Sequence, residues 1–148
     1  MNQELFMKQL ISLVSDEADI IANLSNTSAL LNEYLSNINW VGFYLYDGNE
    51  LVLGPFQGKV ACIRIPLDKG VCGKAASQRK TEVVPNVHEF PGHIPCDGAS
   101  NSEIVLPILK DDKLIGVLDI DSPIINRFSK EDEVFLEEVR KVIETYIY

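Results

Sequence analysis

The succession of patterns along this chain predicts an α+β fold: a mostly antiparallel sheet with N- and C-terminal helices packed on one face and a ligand pocket covered by a long loop on the other. Three observations predict it. Apolar residues recur at helical spacing first, alternating segments joined by hairpin signals follow, and one strongly patterned helix closes the chain.

Phe6, Leu10, Leu13 and Val14 make the first amphipathic helix. Ser15 or Asp16 is positioned to cap a second, carrying Ile20, Ile21 and Leu24, and Asn26-Thr27-Ser28 offers a break or a new cap before Leu30, Leu31, Tyr34, Leu35 and Ile38. Two or three helices are therefore expected before the first strand. From Asn39 to Tyr46 the chain alternates, with Val41, Phe43 and Leu45 on one side and Trp40, Gly42, Tyr44 and Tyr46 on the other. Asp47-Gly48 signals a hairpin into a return strand from Leu51 to Gln57, where Pro55 implies an edge or a bulge. A third strand is expected from Val60 to Pro66 and contains Cys62; a short helix from Val71 to Gln78 and a fourth strand from Thr81 to Pro85 come next. The segment from Asn86 to Asn101 holds two prolines, two glycines and both histidines, His88 and His93, so it has little room for regular structure. Loops of this length inside a compact unit are usually functional, and Phe90 and Ile94 within it imply an ordered lid or site wall. Strands Glu103–Lys110 and Lys113–Asp121 then join across Asp111-Asp112. Ser129 with Asp132 forms a capping box, and Phe135, Val139, Val142, Ile143 and Tyr146 form one helical face.

With 148 residues, 46% hydrophobic and 24% charged, one globular domain is expected. Thirteen basic against 22 acidic residues give a net charge of −9 without any basic stripe, which removes the electrostatic footprint of a nucleic-acid binder. No apolar run approaches the ~18 residues that cross a bilayer, and the start Met1-Asn2-Gln3-Glu4 lacks signal-peptide character. A cytoplasmic protein with no membrane partner is the expectation, and a homodimer is compatible with it. Three cysteines, Cys62, Cys72 and Cys96, are an odd number that argues against a structural disulfide framework. Cys72, between Val71 and Gly73, reads as a small buried hydrophobe, and Cys62 fits the same description. Cys96 differs, because its polar Pro/Gly loop has no apolar periodicity to bury it.

Asp119 and Asp121 are two apart on a strand and so share a face, together with Ile115 and Val117. Crowded carboxylates raise each other's pKa unless a cation or a shared proton compensates. They are candidates for gripping an ammonium group or donating a proton. Whether Glu103 joins them depends on register: a loop of Asp111 and Asp112 alone sets it opposite Ile120, whereas a longer loop or a bulge sets it opposite Asp121. His88, His93, Cys96 and Asp97 are metal-ligand types, but the spacing His-x4-His-x2-Cys matches none of the usual paired zinc patterns, and neither metal nor cofactor is expected. A protonated imidazole near Cys96 would instead favour its thiolate.

The runs Asn39-Trp40-Val41-Gly42-Phe43-Tyr44, Gly54-Pro55-Phe56-Gln57-Gly58 followed by Ala61-Cys62, Gly70-Val71-Cys72-Gly73, Val84-Pro85-Asn86-Val87-His88, His93-Ile94-Pro95-Cys96-Asp97, Ser102-Glu103-Ile104-Val105 and Gly116-Val117-Leu118-Asp119-Ile120-Asp121-Ser122 resemble the free methionine-(R)-sulfoxide reductases, a family of single GAF domains. The resemblance covers nearly the whole chain after the N-terminal helices and implies one GAF domain over residues 1–148. It implies reduction of the R-sulfoxide of free methionine, with Cys96 as the attacking cysteine, Cys62 as the resolving cysteine that forms a disulfide with it, and thioredoxin as the reductant. By the same resemblance Cys72 is auxiliary, Glu103, Asp119 and Asp121 are pocket carboxylates, and Trp40 is the wall against the substrate's methyl end. The rival expectations are a GAF domain that senses a small ligand and a thiol redox switch, although a pure switch has no need of Trp40 and three carboxylates around its thiol.

Overall fold

The computed structural model describes residues 2–148. Two helices open the chain, α1 (Gln3–Val14) and α2 (Ile20–Tyr34). Asn2 Oδ1 accepts the Leu5 amide at 2.8 Å and starts α1, which buries Phe6, Leu10 and Val14 while Leu13 stays exposed. The cap of α2 is Asp19, accepting the Ala22 amide at 2.9 Å, rather than Ser15 or Asp16, which lie in the turn that ends α1. Ile20 and Ile21 accordingly remain on the exposed side of α2. The expected break at Asn26-Thr27-Ser28 does not occur. Thr27 and Ser28 donate their hydroxyls back to the Asn23 and Leu24 carbonyls at 2.8 and 2.9 Å, an arrangement that satisfies both inside a continuous helix.

The sheet has six strands: β1 (Trp40–Tyr46), β2 (Glu50–Gly58), β3 (Arg64–Pro66), β4 (Glu82–Val84), β5 (Ser102–Lys110) and β6 (Lys113–Ser122). They lie in the order β3-β2-β1-β6-β5-β4, and every pairing is antiparallel. Helix α3 (Gly70–Gln78) follows β3, a single 3₁₀ turn (Val87–Glu89) interrupts the loop between β4 and β5, and α4 (Lys130–Val142) follows β6. The alternation of β1 separates two cores. Val41 and Phe43, with Ile104, Leu106, Leu118 and Ile120, face α1, α2 and α4 through Leu10, Leu31, Phe135 and Leu136. Trp40 and Tyr44, with Val105 and Val117, face α3 through Val71, Cys72, Ala75 and Ala76.

Two local departures from the expected strands shape the pocket side of the sheet. The expected strand Val60–Pro66 contracts to Arg64–Pro66, and Cys62 lies before it; the Tyr44 hydroxyl donates to the Cys62 carbonyl at 2.9 Å and diverts that stretch from the sheet. In the β5–β6 hairpin, Asp111 and Asp112 form a tight loop with φ of 51° and 62°, yet pairing moves from Leu109–Leu114 to Ile108–Gly116. Ile115 is thus the extra residue of a bulge, and it joins the helix-side core rather than the face of Asp119 and Asp121. At the end of the chain the capping box of α4 is present, with Ser129 Oγ accepting the Asp132 amide at 3.1 Å and Asp132 Oδ2 accepting the Ser129 amide at 2.9 Å. Beyond Val142, residues Ile143–Ile147 wind as a π-helix, whose wider turn brings Ile147 rather than Tyr146 into the core.

Candidate active site

The bulge at Ile115 sets Glu103 opposite Asp121, and Asp121 is in turn opposite Trp40. One pleat further along, Asp119 lies opposite Gly42. Side chains of a row across the sheet share a face, so Trp40, Glu103, Asp119 and Asp121 converge beneath α3 and the long loop. Gly42 is required here, because a Cβ on it would overlap the Phe56 side chain and come within 2.9 Å of the Pro55 carbonyl. Over that gap the rings stack, Trp40 at 5.1 Å from Phe56 and 5.8 Å from Tyr44. The result is an aromatic wall on one side of the pocket.

The loop forms the opposite wall. Asn39 reaches from the start of β1 to donate to Asp97 Oδ2 at 2.9 Å and Ser100 Oγ at 3.1 Å, while the loop's end is tied down by Asn101, whose amide donates to the Ser122 carbonyl at 2.8 Å. Ile94 closes over Gly70, whose φ of +65° is strained for most side chains and where a Cβ would stand 3.1 Å from Ile94 Cγ1. Within this frame Cys62 and Cys96 are joined in a disulfide with a Cα separation of 5.4 Å, within the usual span of such bridges. Cys62 is held from below by Tyr44, and the Trp40 indole donates to the Lys59 carbonyl at 3.2 Å. The aromatic wall therefore fixes the segment that carries one half of the bridge.

Glu103, Asp119 and Asp121 are all buried, at 6%, 5% and 8% exposure. Burial pushes the carboxyls of Glu103 and Asp121 well above the ordinary carboxylate range, with the charge of Asp119 adding to it. Burial also raises Asp119, against which hydrogen bonds from Glu103 and Cys72 act. Glu103 is thus a proton holder and Asp119 an acceptor. Burial lowers the His93 imidazole, with His88 adding to the effect, so the 4.0 Å approach of His93 Nε2 to Glu103 Oε1 joins two neutral groups and not an ion pair. Cys72 is buried and unbridged, its Sγ 3.9 Å from Glu103 Oε2. Its burial fits the reading as a small hydrophobe, but the thiol faces the carboxyls, and desolvation followed by Asp119 and Glu103 raises its pKa.

The pocket thus gathers Trp40, Cys72, His93, Cys96, Glu103, Asp119 and Asp121 in one lining. Cys62 borders it through the bridge, whereas His88 lies outside it, its Nε2 2.7 Å from Asn101 Oδ1. The sequence patterns do not single out Tyr44, Asn39 or Ser100. The alternation that marks Trp40 also marks Tyr44, four residues on, but nothing local marks the bonds Asn39 makes to a loop 58 and 61 residues away.

Residues 19–147 match the family described as GAF domain. The free methionine-R-sulfoxide reductase of Escherichia coli is 52% identical over 141 residues, 93% of this chain and 86% of that protein. The chain belongs to the GAF-domain family of free methionine-R-sulfoxide reductases. Among solved structures, the reduced form of fRMsr of Staphylococcus aureus superposes with a TM-score of 0.96 at 59% identity, covering 99% of this chain and 96% of that one. The free methionine-R-sulfoxide reductase of Neisseria meningitidis, in complex with its substrate, does so with a TM-score of 0.93 at 46% identity, covering 97% and 87%. Members of this reductase family therefore share the overall fold of this chain.

Proposed function

We propose that this protein reduces free L-methionine-(R)-sulfoxide to methionine, with residues 1–148 acting as one catalytic GAF domain and Cys96 as the nucleophile. The observation that carries this reading is the opening of the Cys62–Cys96 bridge onto a pocket that pairs an aromatic wall with buried, proton-bearing carboxyls. It is supported by the names of the relatives and by a relative's substrate complex. In the dithiol form the Cys96 thiolate attacks the sulfoxide sulfur while Glu103, a proton holder, protonates the oxygen. The sulfur–oxygen bond breaks, methionine leaves, and the oxygen passes to Cys96 as a sulfenic acid. Cys62 then condenses with it, releasing water and forming the disulfide. Thioredoxin returns both thiols by exchange, becoming oxidised itself.

Asp119 and Asp121 hold the ammonium of the free amino acid, whose positive charge favours the ionised form of their buried carboxyls, and Trp40 lies against its methyl end. A pocket built to neutralise a charged end discriminates against a substrate that lacks it, because the polar groups are then left unpaired. The test is NADPH consumption in a thioredoxin-coupled assay, offered free methionine-R-sulfoxide, the S epimer, and a methionine sulfoxide blocked at both ends. Turnover of the free R epimer alone is expected. Absence of turnover with thioredoxin and with dithiothreitol overturns the proposal in favour of a ligand-sensing domain.

A further inference from the structure

The redox cycle leaves one buried nucleophile without a task. Cys72 Sγ, a Glu103 carboxyl oxygen and an Asp119 carboxyl oxygen all lie within 4.8 Å of one another, and the sulfur is 3.9 Å from Glu103 Oε2. A tetrahedral zinc ion with bonds of about 2.0–2.3 Å sets its ligand atoms roughly 3.3–3.8 Å apart, so a contraction on the order of an ångström would close these three donors on one ion. Two further observations point to a ligand there. Asp119 Oδ1 belongs to a residue only 5% exposed, stands in the pocket wall, and has no hydrogen-bond partner among the described residues. His93 flanks the same group, its Nε2 4.0 Å from the other Glu103 oxygen.

We propose that Cys72, Glu103 and Asp119, with His93 as fourth ligand, form a zinc site inside the pocket, and that zinc held there inhibits the enzyme by excluding its substrate. One sulfur, one imidazole nitrogen and two carboxylates make a donor set that suits zinc and disfavours magnesium or calcium, which take oxygen alone. The ion's own charge displaces the protons of the thiol and of Glu103 on binding. The net charge of −9 favours the approach of a cation. The three donors sit on α3, β5 and β6, which pack directly on one another, so the site is carried by regular elements and not by the loop alone. The inhibition rests on the reductase reading; the binding does not.

Equilibrium dialysis of zinc chloride against the disulfide form tests the binding, because the bridge then keeps Cys62 and Cys96 from acting as ligands. One zinc per chain is expected, weakened by at least about tenfold in Cys72→Ser and likewise in the nearly isosteric Asp119→Asn, each checked for a native circular dichroism spectrum. Cobalt in place of zinc is expected to show a thiolate charge-transfer band that Cys72→Ser abolishes. No stoichiometric binding, binding undiminished in both variants, or binding lost only in His88→Ala overturns the site. In turnover, with the thioredoxin system checked separately against zinc, an apparent KM that rises with zinc at constant kcat supports exclusion of substrate. A fall in kcat at constant KM overturns it, and a failure of turnover altogether leaves the dialysis result standing and counts against the reductase reading alone.

Discussion

Replacing Glu103 by Gln removes an ionisable group at nearly constant shape, and the structure predicts that it separates activity from stability. Glu103 is buried, with its carboxyl pushed well above the 4.5 usual for glutamate by desolvation first and by Asp119 and Asp121 next. The native state therefore holds a proton that the unfolded chain gives up above about pH 4.5, and stability falls as pH rises from that value through the native pKa. Each such proton costs about 1.4 kcal/mol per pH unit. Wherever the pH lies between these two pKa values the wild-type protein loses stability through Glu103 as pH rises, a loss absent from Glu103→Gln. Ionising Glu103 inside the pocket carries its own cost. Two carboxylate charges 4.8 Å apart, the outer limit of the Glu103–Asp119 separation, repel by about 3.5 kcal/mol at an effective dielectric of about 20. Urea unfolding of the disulfide forms at several pH values is the assay, with the difference between variant and wild type as the readout. The variant should gain on the wild type by up to about 1.4 kcal/mol per pH unit between about pH 5 and the native pKa of Glu103, while its kcat/KM falls by about 10²–10⁴ for want of the proton donor. Parallel stability curves would refute the buried, protonated Glu103; undiminished turnover would refute its role as acid.

Cys96→Ser should release no methionine, whereas Cys62→Ser should release about one per site and then stall without a resolving thiol; a rapid-quench count of methionine per chain distinguishes them, and full turnover by either variant counts against the mechanism. Tyr44→Phe removes the hydroxyl that holds the Cys62 carbonyl at 2.9 Å. It should cost about 1 kcal/mol in urea and slow disulfide closure after the methionine burst. Gly42→Ala forces a methyl into the Phe56 side chain; a loss of roughly 1–3 kcal/mol is expected from overpacking, and an unchanged denaturation midpoint would show that the aromatic stack has room to move.

The parts of this protein governed by short-range rules are legible in its sequence. The period-two pattern of β1 assigns Val41 and Phe43 to one core and Trp40 and Tyr44 to the other, since successive side chains of a strand point to opposite faces. The Ser129–Asp132 capping box follows equally from neighbours in the chain. Tertiary packing settles the places where local signals are balanced. Thr27 and Ser28 look like a helix break, but buried beneath the sheet their hydroxyls turn back onto their own helix. Strand propensity around Cys62 loses to Tyr44 and to the bridge with Cys96. Most consequentially, both faces of β5 and β6 are apolar, so hydrophobicity cannot select the register of Glu103. The bulge at Ile115 selects it, packing that side chain into the helix-side core and bringing three carboxyls to one face, where burial beneath α3 and the loop raises the pKa of each.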